Sequence, residues 1–251
     1  MIVATKLRLE LIMLNHKKYG FTLAEVLITL GVIGVVAAMT VPNMVTKYKN
    51  NVVLTTLKKQ YAELSQAIKL AAQDADPYSL GENWQDTNAI VEAVKPYLKW
   101  SASYPMVSEY NATKSMCYVK GRIVSSVKGS GGYVWLTKVG ISNPIAGNTA
   151  SIELSNGACI GFNRQGASDR TIILDINGPG VLPNMMGKDV FVFTVTDKNE
   201  LRPKGYNLAY KSLVSPSSSG HGCACDKTTN KCGAGMYCAA RIMQDGWKIN
   251  Y

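Results

Sequence analysis

The chain has 251 residues, 47% of them apolar, with 27 Lys+Arg against 17 Asp+Glu, six Cys and two His. A charged share of 18% beside that apolar fraction excludes a disordered chain, because enough apolar surface is present to build a core. One long apolar stretch excludes a multi-span membrane protein, and two histidines exclude a His-rich metal centre.

The informative segment comes first. Residues 17–45 read KKYGFTLAEVLITLGVIGVVAAMTVPNMV, in which Lys17 and Lys18 precede Gly20 and an almost uncharged run extends from Phe21 to Val45. As a helix that run spans roughly 37 Å, enough to cross a hydrocarbon core of ~30 Å. The lysines hold its beginning in the cytoplasm by the positive-inside rule, so the chain beyond Val45 is expected outside. A secretory signal would place a small-residue cleavage site just after the apolar run. No such site follows closely, so the apolar segment is expected to stay in the mature protein.

Glu25 sharpens that reading. An ionised carboxylate costs about 2.5–3.5 kcal/mol or more at the centre of a bilayer, and no Lys or Arg lies near it on the same side. A cut between Gly20 and Phe21 would create an α-amino group close by, able to neutralise Glu25 on its own helix or a neighbour's. The alternative is a glutamate that snorkels at the membrane surface.

The string Gly20-Phe21-Thr22-Leu23-Ala24-Glu25-Val26-Leu27 resembles the class III signal of type IV pilins and type II secretion pseudopilins. The resemblance is close over residues 17–45 and extends to about residue 72. It implies cleavage after Gly20 by a prepilin peptidase, N-methylation of Phe21 by the same class of enzyme, and a role for Glu25 in assembly. It also implies identical or related pilin subunits and an inner-membrane assembly platform as partners. The expected location is the bacterial inner membrane, single-pass with the head outside the cytoplasm, and then a periplasmic or cell-surface filament. Pro42 matches the helix-kinking proline of the family, and on its own chemistry it removes one intrahelical hydrogen bond. Leaders in this family are often short and basic, and residues 13–20 form one; initiation at Met13 or at Met1 gives the same mature chain.

Beyond Val45 the pattern turns periodic. Val52, Val53, Leu57, Tyr61, Leu64, Ile68 and Ala72 recur at steps of three and four, with Lys58, Lys59, Glu63 and Lys69 between them. One helix from about residue 21 to 73 is expected, closed by Asp74-Ala75-Asp76-Pro77, with a shorter helical segment over 86–99 interrupted by Pro96. Strands are expected over 116–124, 133–138, 150–154, 159–163, 171–175 and 189–196. The fold class is α+β: a long N-terminal helix packed on an antiparallel sheet. The expected organisation is a cleaved leader (1–20), a membrane or filament-core helix (21–45), its amphipathic continuation (46–73) and a globular head (74–251).

Three features of the head carry expectations. Asp175, Asn177, Asn184 and Asp189 surround a Gly/Pro-rich loop, where oxygen side chains either form Asx turns or hold a hard cation such as calcium; pseudopilins with a calcium loop resemble this stretch. Cys117, Cys159, Cys223, Cys225, Cys232 and Cys238 are an even set in an exported head, which favours disulfides over zinc, with Cys117–Cys159 and two bridges in the tail preferred. After loss of residues 1–20 the chain keeps 23 Lys+Arg against 16 Asp+Glu, a mildly basic balance weaker than that of a dedicated nucleic-acid binder. DNA contact, known for some pilins, is the lesser expectation. No catalytic constellation stands out, since His221 is the single histidine after residue 20 and the Gly-rich stretch 128–132 lacks phosphate-loop spacing; a structural subunit rather than an enzyme is expected. The rival reading is a single-span anchored adhesin or DNA-uptake receptor that does not polymerise.

Overall fold

Helix α1, Leu23–Asp74, is 52 residues long and is helical without interruption through Pro42. Pro42 does not break the helix. A proline removes one N–H from the ladder, while side chains add bonds around it: Thr40 Oγ1 donates to the Val36 carbonyl and Thr46 Oγ1 to the Pro42 carbonyl, both at 2.9 Å. The computed structural model describes residues 20–74, 86–106, 117, 136, 149–164, 170–215, 224–226 and 234–251. Of the strands expected from sequence, 116–124 and 133–138 lie almost wholly outside those residues, as do Cys223, Cys232, His221 and the leader.

The chain divides into two units, Met1–Lys49 and Asn50–Tyr251. In the first, the described residues form the apolar part of α1, and its large side chains are exposed: Leu27, Leu30, Ile33 and Val36 are each more than half accessible.

In the second unit the remainder of α1 is amphipathic. Leu57, Gln60, Leu64, Ala67, Ile68 and Ala71 are buried, which places the buried stripe slightly off the expected one: Val52 is exposed and Ala71 rather than Ala72 is fully covered. Helix α2, Thr87–Val94, begins with Asp86 as its cap, whose carboxylate accepts the Asn88 N–H. Pro96 converts the following turn, Lys95–Tyr97, to a 3-10 helix. The expected segment 86–99 thus ends early.

Among the described residues six strands follow: β1 Trp100–Tyr104, β2 Thr149–Leu154, β3 Cys159–Arg164, β4 Arg170–Asp175, β5 Val190–Val195 and β6 Leu201–Pro203. They form one sheet in sequential order, each neighbouring pair antiparallel. This is the α+β meander expected from the sequence. Strands β1 and β6 and two short helices, α3 Tyr210–Val214 and α4 Cys238–Gln244, had not been foreseen.

Both faces of the sheet are covered, and strand composition shows why. Ile160, Phe162, Ile172, Leu174, Phe191 and Phe193 join the α1 and α2 side chains in one core. The alternate residues Cys159, Ile173, Val190 and Val192 pack with Met185, Met186, Cys117, Cys225 and Cys238 in a second. A strand buried on both sides has no polar alternation, so β5 reads VFVFTV rather than apolar–polar. Tyr61 from α1 ties the layers together: its ring stacks on Phe193 at 5.4 Å and its hydroxyl donates to the Leu201 carbonyl at 2.9 Å.

Candidate functional site

At the start of α1 the backbone leaves its first N–H groups without intrahelical partners. Thr22 and Glu25 supply them reciprocally. The Glu25 N–H donates to Thr22 Oγ1 at 3.2 Å, while Glu25 Oε2 accepts both the Thr22 N–H and the Thr22 hydroxyl at 2.8 Å. The Val26 N–H then reaches the Thr22 carbonyl, which opens the helix. This is a capping box, Thr-x-x-Glu, with Thr22 as the cap. Its signature stands in the sequence, yet sequence reasoning assigned Glu25 a charge partner and overlooked Thr22.

Gly20 and Phe21 precede this box in non-helical backbone. Gly20 has open space where a side chain would sit, and Phe21 is 88% exposed. A peptide bond here is accessible and lies outside the hydrogen-bonded helix. The carboxylate that would receive a new α-amino group is held at its helix terminus, in the first turn. Gly31 and Gly34, further along, have nothing within 4 Å of the point a Cβ would occupy, so the helix surface is open there to close approach by another helix.

The second candidate is the loop between β4 and β5. Asp175 Oδ1 accepts the N–H groups of Asn177 and Gly178, at 3.3 and 2.8 Å. Asp189 uses both oxygens on backbone: Oδ2 accepts from Asn184 at 2.9 Å and Oδ1 from Met185 at 2.6 Å. The amides of Asn177 and Asn184 donate across the loop to the carbonyls of Val181 and Pro179. Gly178, at φ +78°, lies so close to the β2–β3 turn that a Cβ would fall 2.0 Å from the Gly157 carbonyl oxygen. These are the contacts of the Asx-turn reading.

The same geometry tests the calcium reading. The amide oxygens of Asn177 and Asn184 are buried without a hydrogen-bond partner and have the right chemistry for a hard cation. Asp175 and Asp189 already face N–H hydrogens, which a cation would have to displace. Among the described residues no group of three or more His, Cys, Asp or Glu is placed to hold a metal ion. The donor set fits calcium poorly. Burial holds the Asp189 carboxyl above its ordinary range, against the opposing effect of its backbone N–H bonds.

Disulfides join Cys117 to Cys159 and Cys225 to Cys238. The first is the pairing preferred from sequence; the second fixes α4 to the segment before it. Arg241 on α4 holds the chain terminus, donating to the carbonyls of Cys225 at 2.8 Å and Asn250 at 3.0 Å. Its guanidinium lies 5.2 Å from the centre of the Tyr251 ring. The Tyr251 hydroxyl in turn donates to the Gly187 carbonyl.

Comparison with known proteins returns two matches along the chain. The prokaryotic N-terminal methylation motif, the prepilin signal of type IV pilins and pseudopilins, matches residues 15–41. A family of unknown function matches residues 43–251. No curated protein and no solved structure matches.

Proposed function

Since the chain belongs to the DUF6613 family over residues 43–251 and carries the prepilin signal ahead of it, we propose that it is a non-enzymatic subunit of a type IV pilus-like or type II secretion pseudopilus filament. In this reading a prepilin peptidase cuts after Gly20 and Phe21 is methylated. The single-pass subunit waits in the inner membrane with residues beyond Val45 outside the cytoplasm. It then joins identical or related subunits through the assembly platform.

One observation carries the reading: the apolar half of α1, from Leu23 to Val45, leaves large side chains exposed along its length. Burying such a side chain is worth about 1.5–3 kcal/mol, so the surface needs a cover from outside the chain. Lipid before assembly and neighbouring helices after it would each supply that cover. Glu25 is the carboxylate that such packing must neutralise, and the α-amino group of a processed Phe21 is the complementary charge.

Mass spectrometry of the native N-terminus tests the processing step: a chain beginning at N-methyl-Phe21 is expected, and a retained leader would argue for the anchored adhesin or receptor instead. Glu25→Val tests assembly. Membrane insertion should persist while filaments are lost, and normal filaments from this variant would remove Glu25 from the role given to it.

A further inference from the structure

The apolar stretch of α1 ends abruptly. Between Leu23 and Val45 the single charged residue is Glu25, and then Lys47, Tyr48 and Lys49 follow in immediate succession. All three side chains are exposed, Tyr48 at 70%. The ion pairs among the described residues leave both lysines out, and the nearest acids along the helix are Glu25 and Glu63.

Their depth follows from helix geometry. The rise from Leu23 to Lys47 is about 36 Å, just beyond a hydrocarbon layer of ~30 Å, at the level of lipid phosphates. Successive helical residues turn by about 100°, so Lys47 and Lys49 point about 200° apart with Tyr48 between them. That is a collar around the helix rather than a stripe along one side. Lysine stems lie along apolar surface while their ammonium groups reach the interface, and tyrosine prefers the same level.

Processing changes the balance of charge across the span. Residues 1–20 contain Lys6, Arg8, Lys17 and Lys18, and a cut after Gly20 removes them all, leaving one α-amino group on that side. Lys47 and Lys49 remain.

We propose that Lys47, Tyr48 and Lys49 form a headgroup-binding collar for the phosphates of anionic phospholipids, in the leaflet opposite the cleavage site. After cleavage it becomes the main electrostatic anchor of the subunit. This inference rests on the membrane-spanning reading above. It adds a lipid class as partner and a consequence of cleavage beyond exposing Phe21.

The test uses the full processed chain reconstituted in phosphatidylcholine vesicles, with trace spin-labelled phosphatidylglycerol or spin-labelled phosphatidylcholine as the probe. Electron paramagnetic resonance reads the share of each lipid immobilised by the protein. At low salt phosphatidylglycerol should be immobilised severalfold in preference to phosphatidylcholine, because its headgroup alone carries net negative charge. Lys47→Gln with Lys49→Gln should bring the two lipids close to parity, as should 1 M salt. Glutamine keeps helix propensity, and both positions are exposed, so folding is not at issue. Equal immobilisation of the two lipids by the unaltered chain would overturn the collar, as would a preference that survives in the double variant. A chain stripped from the vesicles by alkaline carbonate, immobilising neither lipid, would overturn the membrane-spanning reading as well. A chain retained without headgroup preference would sink the collar alone.

Discussion

Ile33 and Ile160 are the same residue in opposite circumstances. Ile33, in the first unit, is 64% exposed, whereas Ile160 on β3 is 1% exposed. The head covers its apolar side chains with its own: the part of α1 beyond Asn50 packs with α2 in one core, and Cys117, Cys225 and Cys238 pack in the other. The N-terminal unit has a comparable density of apolar side chains and no covering layer among the described residues. One region is complete by intrachain packing; the other leaves its large apolar side chains exposed among the described residues. That difference teaches where this protein's stability and its function lie, and it can be broken or sharpened by experiment.

The largest expected effect contrasts the two regions directly. Phe193→Ala should remove about 3–5 kcal/mol from the head, because Phe193 is fully buried and stacked on Tyr61. Ile33→Ala should leave the head's denaturant midpoint unchanged, within about 0.5 kcal/mol. Equal losses would mean that the apolar half of α1 is packed within the chain after all.

The next effect lies in the tail. Replacing Cys225 and Cys238 together by serine opens a crosslink of sequence separation 13 and should cost about 3 kcal/mol. Chemical denaturation of the oxidised protein against the double variant measures it.

A smaller effect belongs to the N-terminal unit. Thr22→Ala deletes the hydroxyl that caps α1 and should cost about 1 kcal/mol of local helix stability. Faster amide exchange confined to the first turn, in a membrane mimetic, is the expected reading; a change spread through the head would contradict the division into two units.

The smallest effect concerns Asp189. Its carboxyl is raised in the folded state by burial, so the fold binds that proton more tightly than the unfolded chain does. Its contribution is therefore favourable below the unfolded value of about 3.9 and is lost as pH rises through the higher folded value. Asp189→Asn should flatten that acid-side change in melting temperature. Chelation of calcium should leave the melting temperature where it is, since the loop is closed by its own amides; a clear drop would restore the calcium reading.

How much of this was legible in the sequence depends on the range of the interaction. The prepilin signal, the long helix and the four central strands are local patterns, set by the order of apolar, charged and Gly residues within a window of a few turns. The edge strand β1, WSASY, escaped notice because none of its positions is fully buried and its partner β2 lies far along the chain. Strand β6 is three residues long and contains Pro203, so no periodicity could reveal it. Helix α4 is seven residues long and follows a tail dense in Cys and Gly, so its buried Ala239, Ala240 and Ile242 make too short a repeat to stand out, and a disulfide and Arg241 also hold it. At the candidate site, Glu25 was conspicuous because a charge in an apolar run violates the local pattern. Its partner Thr22 was less so, because a threonine violates nothing.

By itself the sequence determined the apolar run, its embedded acid and its basic flanks, since hydropathy and charge are properties of residues in order and need no fold to exist. Only the tertiary structure decided that the two carboxylates of the β4–β5 loop turn toward backbone amides, that both faces of the sheet are covered, and which cysteines meet. Those outcomes depend on groups brought together from distant parts of the chain, where the gain from burial must outweigh the entropy of ordering each partner. No local pattern records that balance.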